Sequence, residues 1–249
     1  MGSLSPTPCT TTGSLLTRSA PPRAGWAWTC GPLPSPTVVI VDTGVGNLFS
    51  IARAVHTVGG SPVISADPRS LETADRVVIP GVGSYASTMS YFAECGMDGA
   101  LRTYADTGRP LLGICLGMQL LVTEGHEEGR TCGLGVIVGE AVPMPSITSS
   151  GSPVRIPHIG WSRVTPLSEG RSSDWMGADG ADIDVYFAHS YTVICPDSQV
   201  IAATFRYGGH ELAAAVRVGS VLGVQFHPER SGPAGLRLLT SFVQSPDGT

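Results

Sequence analysis

Lysine is absent from this 249-residue chain, and all 15 of its cationic side chains are arginines. The arginines are scattered, and the formal net charge is -5, so the sequence contains no basic patch suited to a phosphate backbone. Charged residues make up only 14% of the chain, against 42% hydrophobic residues, a balance typical of a compact globular enzyme. We therefore expect no nucleic-acid partner and, at this length, one substantial core.

Long apolar runs and metal-binding cysteine patterns are also missing. No apolar run approaches the roughly 18 to 20 residues that a membrane-spanning helix needs, so we expect a soluble chain that does not enter the membrane. The six cysteines are irregularly spaced, with neither a CxxC pair nor a Cys/His ligand pattern. Neither a disulfide framework nor a zinc site is expected, and we predict a reducing, cytoplasmic environment.

Residues 1–36 are predicted to be an N-terminal extension outside the fold. They are rich in Ser, Thr, Pro and Gly, contain no acidic residue, and carry Arg18 and Arg23 as their only charges. The composition is similar to that of a transit peptide, but an apolar signal core and a clear amphipathic period are both missing. A disordered extension or an upstream-assigned start codon is the favoured interpretation. The folded domain is predicted to span residues 37–246.

From Thr37 onwards, short β-branched segments alternate with helical periodicity, as in strands joined by crossover helices. The spacing predicts strands at 37–42, 76–80 and 110–114, and helices at 48–58, over much of 84–106 and at 232–243. A polar loop is predicted at 166–183. Beyond about residue 135 the segments are β-rich, and they include VIVGEAV, VYFAHSYTV, QVIAATF, ELAAAVRV and VLGVQF. This pattern predicts an α/β fold with a central, mostly parallel sheet flanked by helices and an additional β-rich portion.

The segment GICLGMQLL (113–121) places Cys115 between two glycines, where a predicted strand meets a predicted helix. This is the pattern of a nucleophile elbow with sulfur in place of the serine oxygen. Gly113 and Gly117 let the helix pack close to the strand. The start of the helix favours a thiolate and can face an oxyanion. The motif alone leaves open a buried structural cysteine.

The segment GVQFHPERS (223–231) supplies His227 and Glu229, two residues apart at the end of an apolar strand. In an extended chain this spacing sends both side chains to the same side. His227 then serves as the base for the thiol, and Glu229 fixes the tautomer and orientation of the imidazole. A third segment, PGVG (80–83), follows a buried strand and can donate amides to an oxyanion, although spacing alone favours an ordinary turn.

Together, GICLGMQLL and QFHPE resemble the motifs of class I glutamine amidotransferases, in which a Cys-His-Glu triad hydrolyses glutamine to glutamate and ammonia. Within that class, further segments are similar to the amidotransferase subunits of imidazole glycerol phosphate synthase: VDTGVGNLFS (41–50), PGVGSYASTM (80–89), EEGRTCGLGVI (127–137), IPHIGWSRV (156–164), YFAHSY (186–191) and GVQFHPERSGPAGLRLL (223–239). The resemblance covers about residues 37 to 244.

The resemblance implies a flavodoxin-like α/β fold, a set of site residues, and neither a metal nor a cofactor. The implied residues are the triad Cys115, His227 and Glu229, the oxyanion and substrate-binding residues Gly81, Val82, Gly83, Leu116, Gln119, Ser190 and Tyr191, and the partner-facing residues Asn47, Pro157, His158 and Trp161. Core packing remains an alternative role for Trp161 and for Tyr191.

The resemblance also implies a division of labour between two subunits. Ammonia released from L-glutamine would pass to a TIM-barrel cyclase subunit, which forms imidazole glycerol phosphate and AICAR in histidine biosynthesis. No segment of barrel length follows residue 249, so we expect the cyclase to be a separate chain in a heterodimer. Thr43 stands where an aromatic residue is frequent and Arg230 where a lysine is frequent, and both departures concern coupling to the partner.

Two alternatives to this function remain. The first is an amidotransferase of another pathway, such as anthranilate, carbamoyl phosphate or pyridoxal phosphate synthesis, whose elbow motifs are similar. The segments IPHIGW and YFAHSY favour the histidine pathway over these. The second alternative is a non-catalytic scaffold that only binds a partner, and the intact Cys, His and Glu argue against it.

Overall fold

The computed structural model describes residues 35–46, 48–167 and 181–245, which belong to one compact unit. Asn47, nearly all of the predicted N-terminal extension and most of the predicted loop at 166–183 lie outside the described residues. Among the described residues, no helix has the length and apolar character needed to cross a membrane.

The strands are β1 (Thr37–Val41), β2 (Ser61–Ser65), β3 (Arg76–Ile79), β4 (Leu111–Ile114), β5 (Val122–Gly125), β6 (Thr131–Cys132), β7 (Ile137–Pro143), β8 (His158–Pro166), β9 (Ile183–His189), β10 (Tyr191–Ile194), β11 (Ile201–Tyr207), β12 (His210–Val218) and β13 (Val221–Val224). The α-helices are α1 (Leu48–Thr57), α2 (Tyr85–Cys95), α3 (Met97–Asp106), α4 (Leu116–Leu120) and α5 (Gly232–Gln244). Short 3-10 turns cover Pro68–Leu71, Ser198–Val200 and Pro228–Arg230.

In the described part of the chain, the main sheet has nine strands in the order β2-β1-β3-β4-β13-β12-β11-β8-β9. The strands from β2 to β13 are parallel, and those from β13 to β9 pair antiparallel. A second sheet has the order β10-β7-β5-β6. The predicted α/β class is therefore confirmed, and the predicted β-rich portion is the antiparallel half together with the second sheet.

The parallel strands are buried because helices cover both faces of this half of the sheet. In β1, Val38 and Ile40 pack into a core that includes buried residues of α1 and α5. The alternate residues Val39 and Val41 pack into a second core with residues of α2 and α3. This alternation follows from the two-residue period of a strand, and it explains why β1 is apolar almost throughout.

Two predicted elements are each divided in the structure. The helix predicted within 84–106 is two helices, because Gly96 adopts the left-handed conformation (φ 77°), ends α2 and precedes α3. The segment VYFAHSYTV is two strands, β9 in the main sheet and β10 in the second sheet, with Ser190 between them. The change of sheet at Ser190 brings Tyr191 towards α4, where the side chain of Gln119 bonds its carbonyl oxygen.

Candidate active site

Cys115 lies in the sharp turn between β4 and α4, as the motif predicts. Its backbone has φ 51° and ψ -106°, and Cys115 and Glu128 are the non-glycine residues with positive φ in the described part of the chain. Such a conformation persists only where the surroundings enforce it, and it is frequent at functional sites. The amide of Cys115 donates to the carbonyl oxygen of Val224 (2.7 Å), which ties the turn to β13.

Two glycines allow the backbone to approach this turn closely. A Cβ atom at Gly117 would overlap the carbonyl oxygen of Ile79, and one at Gly81 would overlap that of Ile114. The same Cβ at Gly81 would lie only 2.6 Å from Cβ of Cys115. The loop that contains Gly81, Val82 and Gly83 therefore begins directly against Cys115, where the sequence predicts the oxyanion donors.

His227 reaches Cys115 because β13 pairs in parallel with β4, with Val224 opposite Ile114. The chain beyond both strands therefore emerges at the same edge of the sheet, where the imidazole interacts with the Cys115 side chain strongly enough to raise its own pKa. Nδ1 of His227 lies 2.9 Å from Oε1 of Glu229. The side chains of His227 and Glu229 are only 10% and 8% exposed, so the three predicted triad residues form one buried chain.

The protonation of His227 follows from competing effects. Burial lowers its pKa, but the hydrogen bonds and charges of Cys115 and Glu229 raise it, and the net effect is a pKa raised to about 10. At neutral pH the ring therefore holds a proton between the side chains of Cys115 and Glu229. This arrangement can stabilise a thiolate and then protonate a leaving group.

Ser231 fixes the loop that carries His227. Its hydroxyl donates to the carbonyl oxygen of His227 (2.6 Å) and accepts from the amide of Tyr186 (3.0 Å) in β9. The amide of His227 donates to the carbonyl oxygen of Tyr186 (2.9 Å). Arg230 adds a cation-π contact, with its guanidinium carbon 4.0 Å from the centroid of the Tyr186 ring. The triad loop is therefore attached to β9.

Gln119 lies one turn into α4, and Nε2 of its side chain bonds two acceptors. These are the carbonyl oxygen of Tyr191 (3.3 Å) and Oε1 of Gln225 (3.2 Å). Of the predicted glutamine-binding residues, Gln119 and Tyr191 are therefore in direct contact, and Ser190 is adjacent in sequence. Ser190 and Tyr191 are half-buried, so inward packing does not fully enclose Tyr191.

The sequence reasoning did not identify Gln225 or Glu127. Gln225 is fully buried, and Nε2 of its side chain lies 3.6 Å from Sγ of Cys115. Its signal is a polar residue in an otherwise apolar segment, two positions before His227.

Glu127 accepts from the amide of Tyr85. Burial first, and then the carboxylates of Glu127 and Glu128, raise the pKa of Tyr191, which places negative charge near a predicted substrate contact.

Three of the predicted partner-facing residues are described, and they differ in exposure. Pro157 is exposed, and Trp161 is 59% exposed beside Ile159 at 63%. Core packing is therefore not the role of Trp161. His158, by contrast, is 4% exposed, so its ring faces inward and not towards a partner.

The ring of His158 packs on aromatic side chains and starts a line of hydrogen bonds. It stacks on Phe187 and Phe205, with centroid distances of 5.0 and 5.5 Å. Nε2 of His158 lies 3.0 Å from Oγ of Ser162, and Nδ1 lies 3.2 Å from Nε2 of His189. Burial lowers the pKa of both histidines to about 4, so both rings are neutral at pH 7.

The neighbouring carbonyl oxygen determines the tautomers of this histidine pair. Nδ1 of His189 lies 2.8 Å from the carbonyl oxygen of Tyr191, which can only accept, so Nδ1 carries the hydrogen. Nε2 of His189 must then accept from Nδ1 of His158, and Nε2 of His158 accepts from the Ser162 hydroxyl. The donors therefore point in one direction, from Ser162 in β8 to Tyr191.

One group of potential metal ligands occurs among the described residues, and it belongs to the second sheet. Nε2 of His126 lies 3.1 Å from carboxylate oxygens of both Glu124 and Glu140. Arg130 also bonds Glu124. The carboxylates are therefore already paired with cationic or hydrogen-bonding groups, and the cluster contains no residue of the triad.

A family model described as "Glutamine amidotransferase class-I" matches residues 39–245. The chain is 41% identical to "Imidazole glycerol phosphate synthase subunit HisH" of Geobacillus kaustophilus (strain HTA426), over 82% of this chain and 94% of that protein. It is 38% identical to the subunit of the same name from Halalkalibacterium halodurans, over 82% and 93% of the two chains.

Solved structures share the fold at lower identity. A crystal structure of a glutamine amidotransferase superposes with a TM-score of 0.64 at 20% identity, covering 85% of this chain and 99% of the other. PurLQS from Thermotoga maritima gives the same TM-score at 20% identity, covering 82% and 95% of the two chains. At this identity, the two structures support the fold alone.

Proposed function

This chain belongs to the class I glutamine amidotransferases and, within them, to the HisH subunits of imidazole glycerol phosphate synthase, and we propose that Cys115, His227 and Glu229 carry out its glutamine hydrolysis. The observation that carries this proposal is a buried Cys-His-Glu chain beside a strained elbow. The predicted assignment to the histidine pathway is confirmed against the other amidotransferase pathways.

The first half of the reaction forms a thioester. The Cys115 thiolate attacks the side-chain carbonyl carbon of glutamine, and the carbonyl electrons move onto oxygen, where amides of Leu116 and of the Gly81–Gly83 loop would stabilise the charge. When the oxyanion collapses, the carbon-nitrogen bond breaks, and His227 gives its proton to the leaving nitrogen, which departs as ammonia. A γ-glutamyl thioester remains on Cys115.

The second half reverses the proton transfers. A water molecule attacks the thioester carbon, and neutral His227 takes one of its protons. The carbon-sulfur bond then breaks, glutamate leaves, and the thiolate and imidazolium are restored. Glu229 holds the ring orientation throughout. Gln119, Ser190 and Tyr191 would hold the substrate, and the negative charge of Glu127 near Tyr191 suits the substrate ammonium group.

Ammonia would then pass to a TIM-barrel cyclase as a separate subunit, in a cytoplasmic heterodimer. Exposed apolar side chains support this docking surface: Ile159 and Trp161, two positions apart on β8, are more than half exposed, and Phe49 on α1 is 80% exposed. Side chains of this kind are frequent at the centre of protein interfaces. Asn47 is proposed to belong to this surface with Pro157.

Glutamate release is expected to depend on the cyclase. We expect the chain alone to turn over glutamine at least about tenfold more slowly than the complex with its nucleotide substrate. A site that supplies ammonia to a partner wastes none of it if the catalytic arrangement is completed only when the partner is bound. The measurement is glutamate formation by the purified chain, with and without the cyclase. Equal rates would refute partner dependence, and no release in either case would refute the glutaminase function itself.

The pH profile tests the assigned role of His227. Because its pKa is raised to about 10, the rate of thioester formation at saturating glutamine is expected to fall as the pH rises through about 10, where the ring loses the proton that the leaving nitrogen needs. Glu229→Gln removes an anion that favours the protonated ring, so the alkaline fall should move down by about one pH unit or more. An alkaline fall at the same pH in both proteins would contradict the pairing.

A further inference from the structure

Gln225 is a fully buried amide at the end of β13, directly before the segment that carries the triad base. Its backbone continues the sheet, with its amide donating to the carbonyl oxygen of Ala214 (2.9 Å). The backbone therefore needs no particular side chain here, and both neighbours, Val224 and Phe226, are apolar core residues. A buried polar side chain at such a position is unfavourable unless its hydrogen bonds repay the cost.

The two ends of the Gln225 side chain are bonded to two different parts of the site. Its Nε2 donates to Sγ of Cys115 (3.6 Å), and its Oε1 accepts from Nε2 of Gln119 (3.2 Å). These contacts also fix the amide orientation, because Gln119 donates and a thiolate accepts. One side chain therefore connects the sulfur of the nucleophile with the side chain of a proposed substrate-binding residue.

The contacts of Gln225 extend away from the sulfur through Gln119. Gln119 also donates to the carbonyl oxygen of Tyr191, and that same oxygen accepts from Nδ1 of His189. His189 is bonded in turn to His158, and His158 is bonded to Ser162; both of these residues lie in β8. Gln225 is thus the last member of a buried, hydrogen-bonded line that joins β8 to the thiol.

We propose that Gln225 is a positioning residue of the glutaminase site, which orients the Cys115 sulfur and stabilises its thiolate while holding the side chain of Gln119 in place. This inference rests on the proposed function of Cys115 and adds a residue to it. A hydrogen bond to an ionised partner contributes more than one between neutral groups, so losing it should act on the sulfur first.

Gln225→Met tests the proposal because methionine keeps the length and burial of the side chain but neither donates like an amide nor accepts strongly. We expect kcat for glutamate release by the complex to fall about 10-fold to 100-fold, which is the usual weight of a hydrogen bond to a charged group. Alkylation of Cys115 by iodoacetamide should slow at neutral pH, and the pH at which the alkylation rate reaches half of its maximum should rise. KM should change less than kcat.

Gln225→Glu and Gln244→Met complete the experiment. A carboxylate at position 225 repels the thiolate, so the alkylation profile of Gln225→Glu should move to still higher pH. Gln244, the last residue of α5, donates to the carbonyl oxygen of Val58 (2.9 Å), and Gln244→Met should leave kcat and alkylation unchanged. Folding of each variant is checked by urea unfolding.

The outcomes separate this inference from the proposed function. Folded Gln225 variants with wild-type kcat and alkylation profiles would overturn it, as would failure of both to fold, since Gln225 would then be a core residue only. If wild-type protein released no glutamate, the proposed function would fail, while the alkylation profiles would still report whether Gln225 acts on the thiol.

Discussion

Cys115→Ser is expected to lower glutamine-dependent glutamate release by about 10⁴-fold or more, while the complex continues to form its product from free ammonium. Loss of a nucleophile in a triad has an effect of this size, because the remaining groups cannot replace it. A serine hydroxyl does not ionise near neutral pH, so His227 has no thiolate to stabilise. Ammonium bypasses the glutaminase chemistry.

Serine suits this test because it nearly preserves the size of the side chain at a strained position. The turn at Cys115 has φ 51° and is packed against Gly81, so a larger residue would disturb the neighbouring loop as well. Cys195→Ser is the matched control, because Cys195 is a free, half-buried thiol beyond β10. Loss of ammonium-dependent synthesis in Cys115→Ser, or a similar loss in the control, would contradict the assigned role.

Acid is expected to destabilise the fold between about pH 6.5 and pH 4 through His158 and His189. Burial lowers the pKa of each ring from 6.5 to about 4. As the pH falls through this window, the unfolded chain binds protons that the folded chain does not, so the free energy of unfolding decreases. Each ring can contribute up to about 3 kcal/mol. Carboxylates with lowered pKa, such as Glu124, act in the same direction.

Urea unfolding at a series of pH values measures this effect. His158→Phe keeps an aromatic ring beside Phe187 and Phe205 but removes one titrating group, so it should lose less stability than wild type between pH 6.5 and pH 4. It should be less stable at pH 7, since Ser162 and His189 lose a partner. The exposed His56 supplies the control, and His56→Gln is expected to follow the wild-type profile. Identical slopes in all three proteins would show that His158 binds protons in the folded chain as it does in the unfolded chain, which would contradict a buried, neutral ring.

The parts of the fold that sequence predicts well are those that short segments determine. The apolar runs of β1, β3 and β4 require burial on both faces, and the glycine pair around Cys115 requires a tight turn before α4. The division at Gly96 was missed because α2 and α3 have similar apolar spacing, and only the left-handed backbone at the glycine separates them.

The missed features depend on contacts between distant segments. His158 lies in a segment similar to partner-facing surfaces, but its ring turns inward because Phe187, Phe205 and His189 surround it. Gln225 gives little local signal, since its partners lie more than 100 positions earlier, and only the pairing of β13 with β4 joins them. The change of sheet after His189 likewise depends on tertiary packing.

The most direct test of the account is to trap the covalent intermediate. The chain, with the cyclase and its nucleotide substrate, is mixed with glutamine labelled in its carbon skeleton, quenched in acid and digested. The account predicts labelled γ-glutamyl thioester on the peptide that contains Cys115, and none in Cys115→Ser. Glutamate release without label on that peptide, together with activity that survives in Cys115→Ser, would contradict it.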